Sequence, residues 1–337
     1  MLNGKTILIT GGTGSFGRKT VETLLTRYKL NKLIIFSRDE LKQFEMSQVF
    51  SPQEHNCLRY FLGDVRDKER LNEAFYRVDY VIHAAAIKQV PAAEYNPFET
   101  VLTNVIGAQN IIRAAIQQGV KKVMALSTDK ATAPCNLYGA TKLCSDKLFI
   151  AGNAMSGLHG SIFAVVRYGN VLGSRGSVIP FFLARRKEGV FPITDERMTR
   201  FSITLDRAVD FVLQCLDNMY GGELFVPKIP SYRIMDVVRS ISPEARIEVI
   251  GIRPGEKLHE CLITEDDARQ SLEFDDHFIM QPNFGWWDKE SHLVKSKGRP
   301  CPEGFSYTSV NNTEWLDVED IRAMINGYCQ DHGLESV

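Results

Sequence analysis

The 337-residue chain lacks the features of a nucleic-acid-binding or membrane-spanning protein. Its 40 basic and 41 acidic residues leave a net charge of −1, which is too small for a field that gathers DNA or RNA. No run approaches the ~20 apolar residues that span a bilayer, and the N-terminal stretch becomes glycine-rich too early for a signal peptide. We therefore expect a cytoplasmic protein with neither a nucleic acid nor a membrane as its partner.

Cysteine is scarce and irregularly spaced. The chain has 7 cysteines, an odd number, and no C-x-x-C motif. This pattern favours reduced thiols over a disulfide framework or a zinc site. His259 and Glu260 are adjacent ligand types with no further ligand at suitable spacing, so a solvated or packed pair is the simpler interpretation and no metal is expected.

The first half of the chain alternates apolar, β-branched runs with stretches of helical spacing. The runs lie at Thr6–Thr10, Leu33–Phe36, Leu58–Leu62, Tyr80–His83 and Val123–Leu126, and helices are predicted at Phe16–Tyr28 and Asn104–Gln117. Such alternation predicts an α/β fold, a Rossmann-type doubly wound parallel sheet. Glycine and proline become frequent after about residue 168, which indicates a smaller, interleaved α/β substrate lobe.

The length supports two parts, because single cores stop growing at roughly 250–300 residues. We assign residues 1–168 to the Rossmann domain, with 196–227 returning to it. Residues 169–195 and 228–337 are assigned to the second lobe. Within these later segments, strands are predicted at Ile162–Val166, Glu223–Val226 and Ile247–Ile250, and helices at Leu205–Met219 and Val318–Tyr328.

A glycine-rich turn follows the first strand, with glycines at positions 11, 14 and 17. A dinucleotide site needs a tight turn, close approach of the backbone to the pyrophosphate, and a helix N-terminus aimed at the phosphates. Because the motif lies between a strand and an amphipathic helix, it predicts a bound dinucleotide rather than a turn without a ligand.

The end of the second predicted strand selects between NAD and NADP. NAD sites usually place an acidic residue there for the ribose hydroxyl. Here Ser37 and Arg38 occupy the position where a 2′-phosphate would arrive, and Lys42 can join them. We expect NADP; the alternative is a solvated Arg38, with Asp39 on the ribose of NAD.

Tyr138 and Lys142 are four residues apart and therefore share one helix face. A neighbouring ammonium favours the phenolate, so the pair can take a proton from a hydroxyl during hydride transfer. Thr128, at the end of the fifth strand, can share that proton. Asp129 and Lys130 follow it, and both can reach one substrate only if the strand ends near Thr128 and the chain turns.

The chain resembles the short-chain dehydrogenase/reductase superfamily in its glycine spacing and its Tyr-x-x-x-Lys. The Asp129-Lys130 pair replaces the acidic pair of glucose-type dehydratases, and Arg167–Pro180, Met198–Thr204 and Gly251–Glu260 extend the resemblance over nearly the whole chain. It is similar to the soluble, inverting UDP-N-acetylglucosamine 4,6-dehydratases of the extended nucleotide-sugar branch. The resemblance implies an NADP enzyme acting on a UDP-sugar, and a homo-oligomer, dimer or hexamer.

The resemblance also implies a division of roles. Tyr138 would act as base during oxidation at carbon 4, Lys130 would remove the proton from carbon 5, and Asp129 would protonate the departing 6-hydroxyl. A lysine base requires a pKa well below its usual ~10.4, and we expect Lys142, Lys88 and the cofactor to lower it. Asp129 and Lys130 could also share or exchange roles.

The expected contacts form two groups. Those to the cofactor are Gly11, Thr13, Gly14, Ser15, Phe16, Gly17, Ser37, Arg38, Asp39, Lys42, Asp64, Val65, Ala84, Lys88, Thr103, Asn104, Tyr138 and Lys142. Those to the UDP-sugar are Lys88, Asn170, Arg175, Ser177, Val178, Thr194, Arg253 and Glu314.

Other functions remain open at this point. A nucleotide-sugar epimerase uses the same tyrosine and cofactor without needing Asp129 and Lys130. A retaining dehydratase differs only in the face reprotonated at carbon 5. A non-catalytic NADP-binding regulator would not need Tyr138 or Lys142, and both are present.

Overall fold

The computed structural model describes residues 2–157, 160–173, 178–288 and 297–337. Its strands are β1 (Thr6–Thr10), β2 (Lys32–Ser37), β3 (Leu58–Leu62), β4 (Tyr80–His83), β5 (Lys122–Thr128), β6 (Ile162–Tyr168), β7 (Asn170–Val171), β8 (Val190–Ile193), β9 (Thr199–Ile203), β10 (Leu224–Pro227), β11 (Ser231–Arg233), β12 (Arg246–Val249), β13 (Cys261–Ile263), β14 (Ser271–Glu273), β15 (His277–Met280), β16 (Arg299–Pro300) and β17 (Tyr307–Thr308). Its α-helices are α1 (Ser15–Arg27), α2 (Glu40–Val49), α3 (Lys68–Ala74), α4 (Val90–Tyr95), α5 (Pro97–Val101), α6 (Gly107–Gln118), α7 (Leu137–Ser156), α8 (Val178–Arg185), α9 (Leu205–Asn218), α10 (Ile234–Ile241), α11 (Glu265–Ala268) and α12 (Val318–Asp331).

A large sheet dominates the described part of the chain. Its order is β16-β14-β15-β10-β6-β5-β4-β1-β2-β3. The adjacent strands β10, β6, β5, β4, β1, β2 and β3 run parallel to one another. Beyond β10, strand β15 pairs antiparallel with β10, and β14 pairs antiparallel with β15. The chain reverses its direction of winding between β1 and β4, as in Rossmann folds. The predicted fold class, a mostly parallel α/β sheet of Rossmann type, is confirmed.

Burial explains why these segments form strands and helices. All five residues of β1 are buried, as expected for a parallel sheet covered on both faces. Helices α6 and α9 bury one apolar stripe each. The helix predicted from Asn104 differs at its start, where Leu102–Ile106 form a π-helical turn before α6. No helix among the described residues is long and apolar enough to cross a membrane.

A second hydrophobic cluster lies apart from the sheet core. It includes Phe182 on α8, Phe191 on β8, Val238 on α10 and Ile325 on α12. The described residues also form three small sheets, with the orders β11-β9-β7, β12-β8 and β13-β17, of which β12-β8 packs in this second cluster and β13-β17 in the main core. Strands β14 to β16, in contrast, come from the C-terminal part of the chain and extend the large sheet.

His83 at the end of β4 is a buried, neutral base. Its Nδ1 lies 2.7 Å from Thr10 Oγ1, and its ring packs on Phe149 with centroids 5.4 Å apart. Burial, and to a lesser extent the Lys142 charge, lower the pKa of His83 to about 3. The unfolded chain binds this proton near pH 6.5, whereas the folded chain does not.

We expect His83 to reduce stability as the pH falls from about 6.5 towards 3, by about 2 kcal/mol at pH 5. Substitution His83→Asn removes this titration, so urea unfolding should show a smaller loss of stability between neutral pH and pH 5 in the variant. His332→Asn, at an exposed site, is the control and should behave as the wild type. An equal acid-induced loss in all three proteins would contradict the assignment.

Candidate active site

A continuous cleft of about 1320 Å³ opens at the carboxyl ends of the parallel strands. It extends from the turn after β1 to the second hydrophobic cluster. Most of the residues predicted from the sequence line it: Gly11, Thr13, Gly14, Ser15, Phe16, Gly17, Ser37, Arg38, Asp39, Lys42, Asp64, Val65, Ala84, Lys88, Thr103, Thr128, Lys130, Tyr138, Lys142, Asn170, Val178, Thr194 and Arg253. The sheet edge therefore brings together side chains from distant parts of the sequence.

Three predicted residues do not line the cleft. Asp129 lies behind its wall, fully buried. The amide of Asn104 is bonded to the backbone of Ile87, at 2.9 Å to both N and O, and to Thr141 at 3.0 Å. Asn104 thus holds the loop after β4 in place. Glu314 is exposed and lies outside the cleft, and Arg175 and Ser177 lie outside the described residues.

The turn after β1 contains glycines, among them Gly11 and Gly17, that no larger residue can replace without strain. Gly11 has φ +66°, and a Cβ there would lie 2.8 Å from the Cα of Ala85. A Cβ on Gly17 would meet the carbonyl of Gly12. Gly14 precedes α1 as its N-cap and has no side chain to satisfy the first N–H groups. Open N–H groups beside a backbone this close to β4 fit a pyrophosphate.

The end of β2 presents cationic side chains to the same cleft. Arg38 is 59% exposed, with its nearest carboxylate oxygen, on Asp64, 3.7 Å away. Asp39 caps α2 by accepting a hydrogen bond from Lys42 N, and its carboxylate pairs with Lys42 Nζ at 2.7 Å. The Ser37 hydroxyl accepts a hydrogen bond from Gln43 at 3.2 Å. Arg38 is therefore free to rotate onto an anion, whereas Asp39 is already engaged.

The predicted turn after β5 is confirmed. The strand ends at Thr128, and Asp129–Ala131 form a single 3-10 turn. Thr128 Oγ1 donates a hydrogen bond to Asp129 Oδ1 at 2.9 Å, and Lys130 Nζ lies 3.1 Å from the same oxygen. Lys130 also donates to Asn170 Oδ1 at 3.3 Å. The turn thus places both side chains on one side of the strand end.

Helix α7 carries Tyr138 against this turn. A side chain on Gly139 would collide with the Lys130 carbonyl, so glycine allows the helix to approach closely. Burial raises the pKa of Tyr138 to about 12, while the Lys130 charge and a hydrogen bond with Thr128 oppose that rise. From the sequence we expected the Lys142 ammonium to be the charge that favours the Tyr138 phenolate. Lys142 Nζ instead donates to the Leu126 carbonyl at 2.7 Å.

The expectation of a lowered Lys130 pKa is wrong for this arrangement. Burial would lower it, but Asp129 and Glu260 together outweigh burial and raise the pKa above its usual range. The pKa of Lys88 is lowered instead, by burial and by the Lys130 charge. The two carboxylates decide the outcome because both lie within 3.5 Å of the ammonium.

Glu260 is a site residue that sequence reasoning missed. Its Oε1 lies 3.5 Å from Lys130 Nζ and 3.6 Å from Arg200 Nε, and it lines the cleft. Glu260 comes 130 positions after Lys130, so no local motif joins them. The available signal was the His259-Glu260 pair at the end of the Gly251–Glu260 segment. From the sequence we considered this pair only as possible metal ligands. His259 points elsewhere, to Thr199 Oγ1 at 2.8 Å.

Two carboxylate oxygens at the site have no hydrogen-bond partner within the described part of the chain. They are Asp129 Oδ2 and Glu260 Oε2, and both are buried. The Thr103 hydroxyl, which belongs to a cleft-lining residue, is a third such group. Leaving buried polar atoms unpaired costs about 1–3 kcal/mol each. Such costs are common where a ligand or a transferred proton completes the bonding.

The far end of the cleft is mixed in character. Arg253 pairs with Glu256 at 2.8 Å and remains largely exposed. Thr194 donates to Met198 Sδ at 2.9 Å, and Tyr232 is hydrogen-bonded to Asn170. These groups can bind phosphate oxygens and hydroxyls of an elongated polar ligand.

The fold and the cleft together define a Rossmann-type α/β protein in which a cluster of buried ionisable side chains borders the cleft. Residues 7–282 match the family described as polysaccharide biosynthesis protein, and the chain belongs to that family. Among its relatives is a UDP-N-acetylglucosamine 4,6-dehydratase (inverting) of Campylobacter jejuni. That protein is 54% identical over 332 residues, which cover 97% of this chain and 98% of the relative.

Two other relatives are comparably complete. A UDP-glucose 4-epimerase of Rickettsia typhi is 41% identical over 329 residues, 95% of each chain. The X-ray structure of Pen from Bacillus thuringiensis superposes with a TM-score of 0.87 at 36% identity, covering 97% of this chain and 98% of that one. Solved structures that share the fold at 22% and 23% identity contain NAD, with TM-scores of 0.67 and 0.62.

Substitution Glu260→Gln should lower the pKa of Lys130 by about one unit or more, because one of two carboxylates is removed while Arg200 stays. Competitive acetylation across a pH range, with Lys130 located by peptide mass spectrometry, measures this pKa. Glu273→Gln, in the Lys228–Glu273 pair outside the cleft, is the matched control. A Lys130 pKa unchanged by Glu260→Gln would show that Asp129 alone sets it.

Proposed function

We propose that the protein dehydrates UDP-N-acetylglucosamine across carbons 4 to 6 with inversion at carbon 5. The product is UDP-2-acetamido-2,6-dideoxy-β-L-arabino-hex-4-ulose. The observation that carries the proposal is the meeting of Tyr138, Thr128, Asp129 and Lys130 at one strand end. This set provides a base for a hydroxyl, a base for carbon 5 and an acid for a leaving hydroxyl. The 54% identity to an inverting dehydratase supports the same reaction.

The residues at the turn after β1 fit NADP. The glycine backbone and the N-terminus of α1 would hold the pyrophosphate, and Arg38, Ser37 and Lys42 would bind the 2′-phosphate. Lys142 would hold the nicotinamide ribose. When bound, the nicotinamide supplies the acceptor for a hydride from carbon 4 and returns that hydride to carbon 6. Because the cofactor is regenerated in each turnover, it can remain bound.

The chain's own groups move the protons. Tyr138 accepts the proton of the 4-hydroxyl as that carbon is oxidised. The new ketone acidifies carbon 5, from which Lys130 removes a proton. We assign the proton for the departing 6-hydroxyl to Asp129, whose carboxylate lies behind the cleft wall and contacts the cleft through Thr128 and Lys130. Both neighbouring carboxylates stabilise the Lys130 ammonium. Lys130 can therefore act as a base only when at least one of these ion pairs is weakened.

The remaining lining groups suit the sugar nucleotide. Lys88 and Asn170 lie beside Lys130, and Arg253 with Val178 and Thr194 lines the far end of the cleft. We assign the hexose to the first set and the UDP to the second. An exposed arginine is well suited to a diphosphate because it binds oxygens in pairs.

An epimerase is the second candidate, and the 41% identity to a UDP-glucose 4-epimerase favours it. It would use Tyr138 and the cofactor but would not need Lys130. A retaining dehydratase would use the same residues and differ in stereochemistry at carbon 5. Proton NMR of the product formed from UDP-N-acetylglucosamine in deuterated water separates all three. The inverting dehydratase yields a 4-keto-6-deoxy sugar with deuterium at carbon 5 and the L-arabino configuration.

We expect Lys130→Gln to slow water loss by about 10²–10⁴-fold, the usual contribution of a general base, while cofactor stays bound. Product formation is followed by NMR and cofactor binding by NADPH fluorescence. Lys228→Gln, which changes a lysine paired with Glu273 outside the cleft, is the control and should retain full activity. A normal rate in Lys130→Gln, with the 4-epimer as product, would establish the epimerase.

We expect Arg38→Gln to weaken NADP binding by about 10–100-fold, because charge-assisted hydrogen bonds to phosphate contribute about 1.5–3 kcal/mol. Binding of NAD should change little. Titration calorimetry with both dinucleotides measures the difference, and Arg27→Gln, in an exposed pair with Asp210, is the control. Tighter binding of NAD than NADP by the wild type would instead place Asp39 on the ribose.

A further inference from the structure

A deeply buried ion pair lies behind the cleft, between β6 and α7. Arg167 Nη2 donates to Asp146 Oδ2 at 3.1 Å, and the two side chains are only 4% and 2% exposed. No other ion pair in the described part of the chain has both partners below 5% exposure. Neither residue lines the cleft, so the proposed reaction makes no direct use of either charge.

The pair is a costly way to fill the protein interior. Two charges that leave water lose their hydration, and apolar side chains of similar volume in place of such a pair are often neutral or stabilising. Arg167 Nε is also buried and has no hydrogen-bond partner among the described residues, which adds to the cost. We therefore look for the contribution of this pair in geometry, because a guanidinium donates along fixed directions.

The guanidinium joins two segments that reach the active site from different directions. Arg167 Nη1 donates to the Thr132 hydroxyl at 2.9 Å and to the Leu262 carbonyl at 3.3 Å. Thr132 ends the 3-10 turn that carries Lys130, and Leu262 follows Glu260 by two residues on β13. The Thr132 hydroxyl donates to the same Leu262 carbonyl at 3.3 Å. Arg167 thus holds the end of the turn against the segment of Glu260.

Asp146 connects the same guanidinium to helix α7. It follows Tyr138 by eight residues and Lys142 by four, so the three side chains share one face of the helix. Asp146 Oδ2 also accepts a hydrogen bond from the Ser127 hydroxyl at 2.8 Å, and Ser127 is the strand partner of Arg167 on β5. The pair therefore ties the helix that carries the phenol to the strand and the turn that carry the ammonium.

The proposed reaction depends on this alignment. Tyr138 acts at carbon 4 and Lys130 at carbon 5, so two bases from different segments must face neighbouring atoms of one sugar. A displacement of about 1 Å can slow such a step by about 10²-fold. Close packing against α7 fixes the start of the turn, and the contacts of Arg167 and Lys257 fix its end at Thr132.

We propose that Arg167, held by Asp146, is a positioning residue that sets Lys130 against carbon 5 of the sugar. It acts through Thr132 at the end of the turn, without lining the cleft itself. With this contact intact, the ketone formed at carbon 4 meets the base for carbon 5 without rearrangement of the site. The role rests on the proposed function and deepens it.

The test breaks the link to the turn and leaves the ion pair in place. Thr132→Val keeps the shape of the side chain but removes its hydroxyl, while Arg167 retains Asp146 and the Leu262 carbonyl as acceptors. Hydrogen exchange at carbon 5 of the 4-keto-6-deoxy product in deuterated water reports the step of Lys130. The 6-deoxy analogue of UDP-N-acetylglucosamine has no leaving group, so stopped-flow absorbance of the reduced nicotinamide in the NADP-loaded enzyme reports oxidation at carbon 4 alone.

We expect Thr132→Val to slow exchange at carbon 5 by about 10–10²-fold, because the base is displaced, while oxidation at carbon 4 stays within about twofold of the wild type. The KM for UDP-N-acetylglucosamine should not change, since no cleft-lining side chain is altered. Thr132→Ser keeps the hydroxyl and should restore exchange. The matched control is Thr100→Val, at a buried threonine outside the cleft whose hydroxyl donates to the Asn96 carbonyl at 3.0 Å, and it should retain both rates.

A second variant removes the ion pair itself. The double variant Arg167→Met/Asp146→Asn replaces both charges with side chains of similar length and leaves no unpaired ion. It should show the same selective loss of exchange at carbon 5. Urea unfolding should find it about as stable as the wild type, because a buried ion pair contributes little net stability relative to uncharged side chains of similar volume.

Each outcome decides the proposal. Exchange at the wild-type rate in either variant overturns the positioning role. An equal slowing of exchange and oxidation also overturns it, because that result reports a general loss of structure. If Thr132→Val does not fold, the double variant decides by the same two rates. A double variant that does not fold shows that the pair holds the fold together, which again overturns the proposal. A wild type that forms no 4-keto-6-deoxy sugar overturns the proposed function, and the role of Arg167 in elimination with it.

Discussion

The site depends on one buried ion cluster at the end of β5. Lys130 lies between Asp129 and Glu260, and Arg200 faces Glu260 from the other side. Two positive and two negative groups cancel, which is the condition under which charges can be buried at moderate cost. Lys130 can remain beside the cleft because its neighbours supply the solvation that water would otherwise give.

The ion cluster forms because neighbouring parallel strands end at one edge of the sheet. Parallel β1, β4, β5 and β6 all end at the same sheet edge, so their following turns converge. The glycine at position 139 lets α7 press Tyr138 against the Lys130 turn, and Gly11 lets the first turn pass close to Ala85. Small residues thus set the distances, and the charged residues act at those distances. Replacing either kind would disturb the same site.

Much of this arrangement was predictable from the sequence, for physical reasons. Strand–helix periodicity and glycine spacing are local, so β1 to β6 and the dinucleotide turn were found. The break after Thr128 followed from the requirement that Asp129 and Lys130 reach one substrate. Glu260 was missed because its contact with Lys130 is made by tertiary packing. The antiparallel strands β14 to β16 gave no regular pattern, because they are only two to four residues long.

The difference between local sequence pattern and tertiary contact also explains why the expected lowering of the Lys130 pKa was wrong. A sequence shows that three lysines, at positions 88, 130 and 142, belong to one region, and like charges suggest a lowered pKa. The structure shows that Lys142 donates to a backbone carbonyl and that two carboxylates lie within 3.5 Å of the Lys130 ammonium. The pKa that falls is instead that of Lys88, which burial and, after it, the Lys130 charge both lower. While Asp129 and Glu260 remain ionised they stabilise the Lys130 ammonium, so only a change at one of these carboxylates can make Lys130 release its proton.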